Sequence, residues 1–242
     1  MKKLVLITLL VFTAATHGAS AQSLSLDFGD GGSITATTLQ LIALITVLSI
    51  APGIVIMVTC FPFIVTVMAI LRQAIGLQQS PPNMLLVSIA LFLTFFVMEP
   101  VLIESWEKGI QPLLNEEIEV DEGFERGFQP FRVFMAAQVN PETFATMARI
   151  RSDLNLTEPS PDTPLSVLVS TFLLSELSRA FQVGFLIFLP FLIIDLVVAA
   201  VLMSMGMMMV PPAIVSLPFK LAFFVVANGW ALVAESLVRS YQ

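Results

Sequence analysis

The chain has 242 residues, of which 57% are hydrophobic and 12% are charged, and its mean hydropathy is +0.92. These values exclude an ordinary soluble domain and indicate an integral membrane protein, which would be in contact with membrane lipid. A single cysteine, Cys60, excludes an intrachain disulfide and a thiolate metal cluster.

The N-terminus has the pattern of a secretory signal peptide. Lys2 and Lys3 precede a short apolar run, and small residues follow it up to Ala21. We predict a signal peptide over residues 1–21 that is cleaved after Ala21; the alternative is an uncleaved anchor. Cleavage would also remove His17, the one histidine, which argues against histidine-dependent catalysis and histidine-ligated metals. We expect no cofactor, no metal site and no nucleic-acid partner.

Two segments follow the signal peptide. Residues 22–38 are polar and rich in glycine, and we expect a flexible periplasmic N-terminus there. Residues 39–103 are predicted to form a first hydrophobic helical hairpin, whose second arm begins after Pro82. Its first arm is longer than the roughly 20 residues of one span, and Pro52 and Pro62 are expected to break it. Such breaks are tolerated at membrane depth only against protein or a water-filled cavity, so this arm is expected to pack inside an assembly.

The polar part of the chain lies between two apolar regions. Residues 104–162 carry 12 acidic and 5 basic side chains, a balance expected of a periplasmic region. We expect this region to be mostly helical, with one helix opening at Asn140 as N-cap and Pro141 in the first helical position.

Residues 163–242 are predicted to form a second hydrophobic helical hairpin. Its turn contains Gly206, three adjacent methionines and a double proline, in the run GMMMVPP. Three adjacent residues cannot share one helix face, because successive side chains project about 100° apart, and a double proline favours a new helix start. The tip therefore consists of Met207, Met208 and Met209. On residue type alone, such a cluster also fits core filling.

Each arm of the second hairpin carries one ionisable residue at a similar distance from the tip, Asp195 before it and Lys220 after it. Opposite charges at matched depth in an apolar hairpin predict a buried charge pair. Two roles remain open for it, holding the helices in register and handling protons. Earlier in the hairpin, Glu176 and Arg179 have the i, i+3 spacing of a local ion pair that would let this turn approach the membrane.

Four stretches of the chain resemble the FliP family, the export-gate proteins of the bacterial flagellar type III secretion apparatus, which are shared with injectisome homologues. They read LRQAIGLQQSPPN, LVSIALFLT, SELSRAFQVGFLIFLPFLIIDLVVAAVLMSMGMMMVPP and SLPFKLAFFVVANGW. The resemblance extends from about residue 39 to the end, and these motifs in this order are highly specific.

The resemblance implies an all-α membrane protein of proline-broken helical hairpins, assembled into a pore-forming helical oligomer at the flagellar basal body in the bacterial inner membrane. Its partners would be further copies of itself, other export-gate membrane proteins and unfolded flagellar proteins as cargo. It also implies that Met207, Met208 and Met209 form a pore gasket and that Asp195 and Lys220 are the charged pair of the same motif.

The residue pattern alone is also compatible with three other functions. A proton- or ion-coupled transporter would also have broken arms and buried charges, although no inverted repeat is evident. An intramembrane aspartyl protease would need two carboxylates at one site, whereas Asp195 is the only aspartate in the middle of an arm. A structural scaffold differs from the gate only in lacking a role for the methionine tip.

Overall fold

A computed structural model describes residues 34–77, 79–151, 158–207 and 209–241. The predicted cleavage after Ala21 and the residue Met208 lie outside the described residues. Helices account for all of the regular structure in the described part, in which no strand occurs. The chain divides into two compact units, Met1–Leu48 and Ser49–Gln242.

The described part of the first unit is helical. It belongs to helix α1, Ile34–Met57, which begins inside the segment assigned to a flexible N-terminus. Contrary to expectation, α1 continues through Pro52 and ends only at Met57. An interior proline removes one backbone hydrogen bond, and apolar membrane helices tolerate this loss when local adjustments satisfy the freed carbonyl.

Helix α2, Phe61–Ile75, lies at the centre of the core of the second unit, packed against α3 and α7. Pro62 falls in its first turn, where a missing N–H does no harm. The helix ends at Gly76, which has a left-handed φ of 92°. This conformation favours glycine, because a residue with a Cβ atom would be strained there. Seven of its apolar side chains are almost fully buried: Phe63, Ile64, Val67, Met68, Leu71, Ala74 and Ile75.

Helix α3, Asn83–Ser105, starts directly after Pro82, as predicted for the second apolar arm. It runs through Pro100 into a π-helical turn, Trp106–Ile110, and a short helix α4, Gln111–Leu114. Helix α5, Val120–Gln138, packs against α3 and the π-helical turn.

Helix α6, Pro141–Ile150, confirms the predicted cap. The Asn140 Oδ1 atom accepts hydrogen bonds from the backbone N–H groups of Glu142 at 2.8 Å and Thr143 at 3.2 Å. These bonds satisfy two of the donors that a helix N-terminus leaves unpaired.

The last three helices build the second hairpin. Helix α7, Leu165–Ser204, has 40 residues and passes through Pro190. After the methionine turn, α8, Pro212–Val226, and α9, Gly229–Arg239, bend by 61° relative to each other. The sequence predicted one continuous last arm, and the structure instead breaks it at Asn228, which has a left-handed φ of 48°.

Three segments of the described chain are long and apolar enough to cross a membrane, and the bent pair α8 and α9 would make a fourth. They are Thr38–Met57, Asn83–Leu114 and Leu165–Ser204. The expected fold class, an all-α membrane protein with several spans, is therefore confirmed.

Candidate functional site: a methionine turn and two polar clusters

The methionine turn begins with a left-handed glycine at the end of α7. Gly206 has a φ of 73°, and its N–H donates to the Met203 carbonyl at 3.1 Å while the Met207 N–H donates to the Leu202 carbonyl at 3.0 Å. These bonds satisfy carbonyls that the helix end would leave open. A Cβ at Gly206 would meet no atom within 4 Å, so the backbone conformation, not space, favours glycine.

The tip presents its methionines to the surroundings. Met209 is 98% exposed and Met207 is 42% exposed. The Val210 N–H donates to the Met207 carbonyl at 3.3 Å, which closes the turn before Pro211 caps α8. The tip side chains that the structure describes are thus not core fillers within this chain.

Asp195 and Lys220 lie together between the two arms of the hairpin. The Lys220 Nζ atom donates to Asp195 Oδ2 at 2.6 Å and to the Ala74 carbonyl at 3.1 Å. The Ser216 hydroxyl donates to Asp195 Oδ1 at 2.5 Å. Lys220 is 5% exposed, whereas the Asp195 side chain is 33% exposed. The cluster therefore joins α2, α7 and α8, and the cation is its more deeply buried member.

A second polar cluster surrounds Glu176, a fully buried residue of α7. Its Oε1 atom lies 3.7 Å from Arg179 Nη1, and its Oε2 atom accepts a hydrogen bond from the Tyr241 hydroxyl. Burial raises the pKa of Tyr241, and the nearby negative charge of Glu176 raises this pKa further. The phenol therefore stays protonated and can act as the hydrogen-bond donor.

Arg179 connects this cluster to two other parts of the chain. Its guanidinium donates to Gln138 Oε1 at 2.9 Å and to the Ser240 carbonyl. It also lies over the rings of Phe63, at 5.1 Å, and Tyr241, at 4.9 Å, a cation–π arrangement.

The sequence predicted the ion pair of Glu176 and Arg179 from their i, i+3 spacing, but it did not predict the hydrogen bond from Tyr241 to Glu176. The tyrosine lies 65 residues from Glu176 along the chain, and no local periodicity links positions that far apart. The one tyrosine of the sequence was the only available signal.

Two further observations bear on binding chemistry. Among the residues that the structure describes, no group of three or more His, Cys, Asp or Glu side chains is placed to hold a metal ion. A cavity of about 600 Å³ lies between α2, α7 and α8, with Arg72 and Lys220 in its wall.

The comparisons with known proteins agree with one another. The sequence profile of the FliP family matches residues 44–237. The chain is 52% identical to the flagellar biosynthetic protein FliP of Caulobacter vibrioides over 232 residues, covering 96% of this chain and 86% of that protein. The FliP of Agrobacterium fabrum is 46% identical over 98% of both chains. The FliP of Bacillus subtilis is 44% identical over 85% of this chain and 93% of its own length. Matches of this extent and identity show that the chain belongs to the FliP family.

Proposed function

We propose that this chain, in several copies and with partner export-gate membrane proteins, encloses the channel of the flagellar type III export apparatus, and that Met207, Met208 and Met209 seal its pore. Membership of the FliP family makes the chain a component of that apparatus and a multi-pass protein of the bacterial inner membrane. The proposed role is non-enzymatic. Its cargo would be unfolded flagellar proteins, and residues 104–162 would face the periplasm.

The exposure of the methionine tip carries the proposal. Burying one large apolar side chain is worth about 1.5–3 kcal/mol, so a 98% exposed Met209 at the end of two long helices favours an apolar neighbour outside this chain. Copies of the same tip around a channel axis would supply that neighbour. Methionine is unbranched and flexible, so a ring of such side chains can close a pore and still yield to chains of varied sequence.

The arrangement of the hairpin supports a fixed position for the tip. Asp195 and Lys220 join α7 to α8 about three helical turns from the methionines. Lys220 also bonds to the Ala74 carbonyl of α2, so the two arms are attached to the central helix of the core. A seal needs this, because a tip that moved freely could not meet its copies in register.

The test replaces Met207, Met208 and Met209 with alanine together in the assembled export gate. We expect a normal amount of the complex and an increased ion leak, measured as membrane conductance in cells. Met84→Ala is the control, since Met84 is a 79% exposed methionine outside the tip, on the first turn of α3. An unchanged leak through an intact complex of the triple variant would refute the sealing role.

A further inference from the structure

The last helix is joined to the rest of the hairpin by a bend. Helix α8 ends at Val226, and Asn228 adopts a left-handed conformation before α9 begins at Gly229. Left-handed backbone is strained for most residues and is tolerated by asparagine. Asn228 and Gly229 together therefore have the chemistry of a hinge between two rigid helices.

The middle of α9 is not close-packed on α7. A cavity of about 330 Å³ lies between the two helices and is open on one side. Its walls are apolar apart from the hydroxyls of Ser236 and Ser240, with Val183 and Ile187 of α7 facing Leu232 and Val233 of α9. Protein interiors are normally filled to the density of organic crystals, so this gap marks a weak contact along the length of α9.

The strong contacts of this region come directly after α9. The Tyr241 ring meets Phe63 edge-on at 5.6 Å and stacks on Phe134 at 5.9 Å. Its hydroxyl donates to the buried carboxylate of Glu176, and Arg179 donates to the carbonyl of the neighbouring Ser240. Ser240 and Tyr241 are therefore fastened to α2, α5 and α7 by aromatic, charged and hydrogen-bonding contacts at once.

We infer that α9 is a hinged strap, which turns about Asn228 and Gly229 and is held closed by Tyr241 in its site on Glu176, Arg179 and Phe63. When Tyr241 leaves, the apolar wall of α7 and the core beneath Phe63 become accessible. Straightening would also lengthen the pair α8 and α9 along the α8 axis, from about 31 Å with the 61° bend to about 39 Å with the two helices collinear, at 1.5 Å rise per residue. The closing contact thus controls how far this segment can reach across a bilayer.

The chain contains its own reporter of strap opening. Cys60 is the single cysteine of the sequence, is 0% exposed, and lies one helical turn before Phe63. It is the N-cap of α2, three residues before the Phe63 ring that Tyr241 contacts. A thiol reagent can react with Cys60 only after the structure around Tyr241 has opened.

The experiment measures the rate at which N-ethylmaleimide modifies Cys60 in the full-length protein in native membranes. We expect Tyr241→Ala to raise the rate about tenfold or more, because local opening becomes more frequent when its closing contacts are removed. Tyr241→Phe should raise it only a few-fold, since the ring contacts remain. Arg239→Ala is the control, because the Arg239 pair with Glu235 is solvent-exposed and should leave the rate unchanged.

A second cysteine separates strap opening from general loosening. Ala74→Cys, made together with Cys60→Ala, places a thiol at a fully buried position of the same helix, about 21 Å from position 60. In the strap mechanism Tyr241→Ala does not change the labelling rate there. Equal acceleration at both positions, or no acceleration at Cys60, would overturn the inference.

Discussion

The Lys220 ammonium lies 2.6 Å from the Asp195 carboxylate, across a separation of 25 residues that contains the whole methionine turn. The two groups are unequally buried, since Lys220 is enclosed and Asp195 is one-third exposed. Removing the partner of a charged group costs less stability when that group keeps contact with water, because water still solvates the charge. The structure therefore predicts that the two members of this pair respond differently to mutation.

Asp195→Asn should destabilise the protein more than Lys220→Met. The first variant leaves a buried ammonium with the Ala74 carbonyl and a neutral amide in place of the carboxylate, at a cost of about 3 kcal/mol. The second keeps the apolar stem and leaves a partly exposed carboxylate that still accepts from Ser216, at a cost of about 1 kcal/mol. The midpoint of thermal unfolding in detergent measures both. The reverse order would contradict the placement of the pair.

The exchange variant, Asp195→Lys with Lys220→Asp, tests whether the contact itself matters. We expect secretion of flagellar proteins to recover partly relative to either single change, because opposite charges again face each other. Recovery should be incomplete, since a carboxylate at position 220 would face the Ala74 carbonyl. A double variant no better than the worse single variant would count against the direct pairing of these two charges as the feature that secretion requires.

Gly109 and Gly127 form a matched pair of glycines at the crossing of the π-helical turn and α5. A Cβ on Gly109 would lie 2.4 Å from the Gly127 Cα atom and 2.7 Å from the Gly123 carbonyl oxygen, both of them backbone atoms. A Cβ on Gly127 would meet nothing closer than 3.5 Å. Gly109→Ala should therefore cost about 1–3 kcal/mol of stability, whereas Gly127→Ala should be neutral or slightly stabilising, because alanine favours a helix.

Thermal unfolding of the two glycine variants in one detergent checks this difference. Both substitutions add one methyl group to a helical segment of the same region, so they differ mainly in the space available. Equal unfolding midpoints would show that the close approach of the two segments is not required for the fold.

The features that the sequence predicted correctly are local ones. The N-cap at Asn140 and the start of α3 after Pro82 follow from how a few neighbouring residues satisfy the backbone at a helix end. The apolar spans follow from composition over about 20 residues. Each of these features depends only on residues that are close together in the sequence, so the sequence alone predicts it.

The features that the sequence did not predict depend on tertiary packing. Pro52 and Pro190 lie inside continuous helices, because neighbouring groups can compensate for a proline in an apolar helix. The last arm breaks at the Asn228-Gly229 dipeptide, a local turn signal, but the long apolar runs on both sides of it favour one continuous helix. The Tyr241 contact with Glu176 joins positions 65 residues apart, and only the folded chain brings them together.

Gly206 offers a test of the methionine turn that leaves the methionines in place. Its φ of 73° is unfavourable for residues with a Cβ, and asparagine tolerates it best after glycine. We expect Gly206→Ala to cost about 1 kcal/mol and to displace the tip, whereas Gly206→Asn should keep both the turn and secretion. Steric crowding cannot explain a difference, because no atom lies within 4 Å of the added Cβ. Secretion of a flagellar substrate, compared at equal protein levels, measures the effect. If the alanine variant secretes as well as the asparagine variant, the left-handed turn does not set the position of the tip.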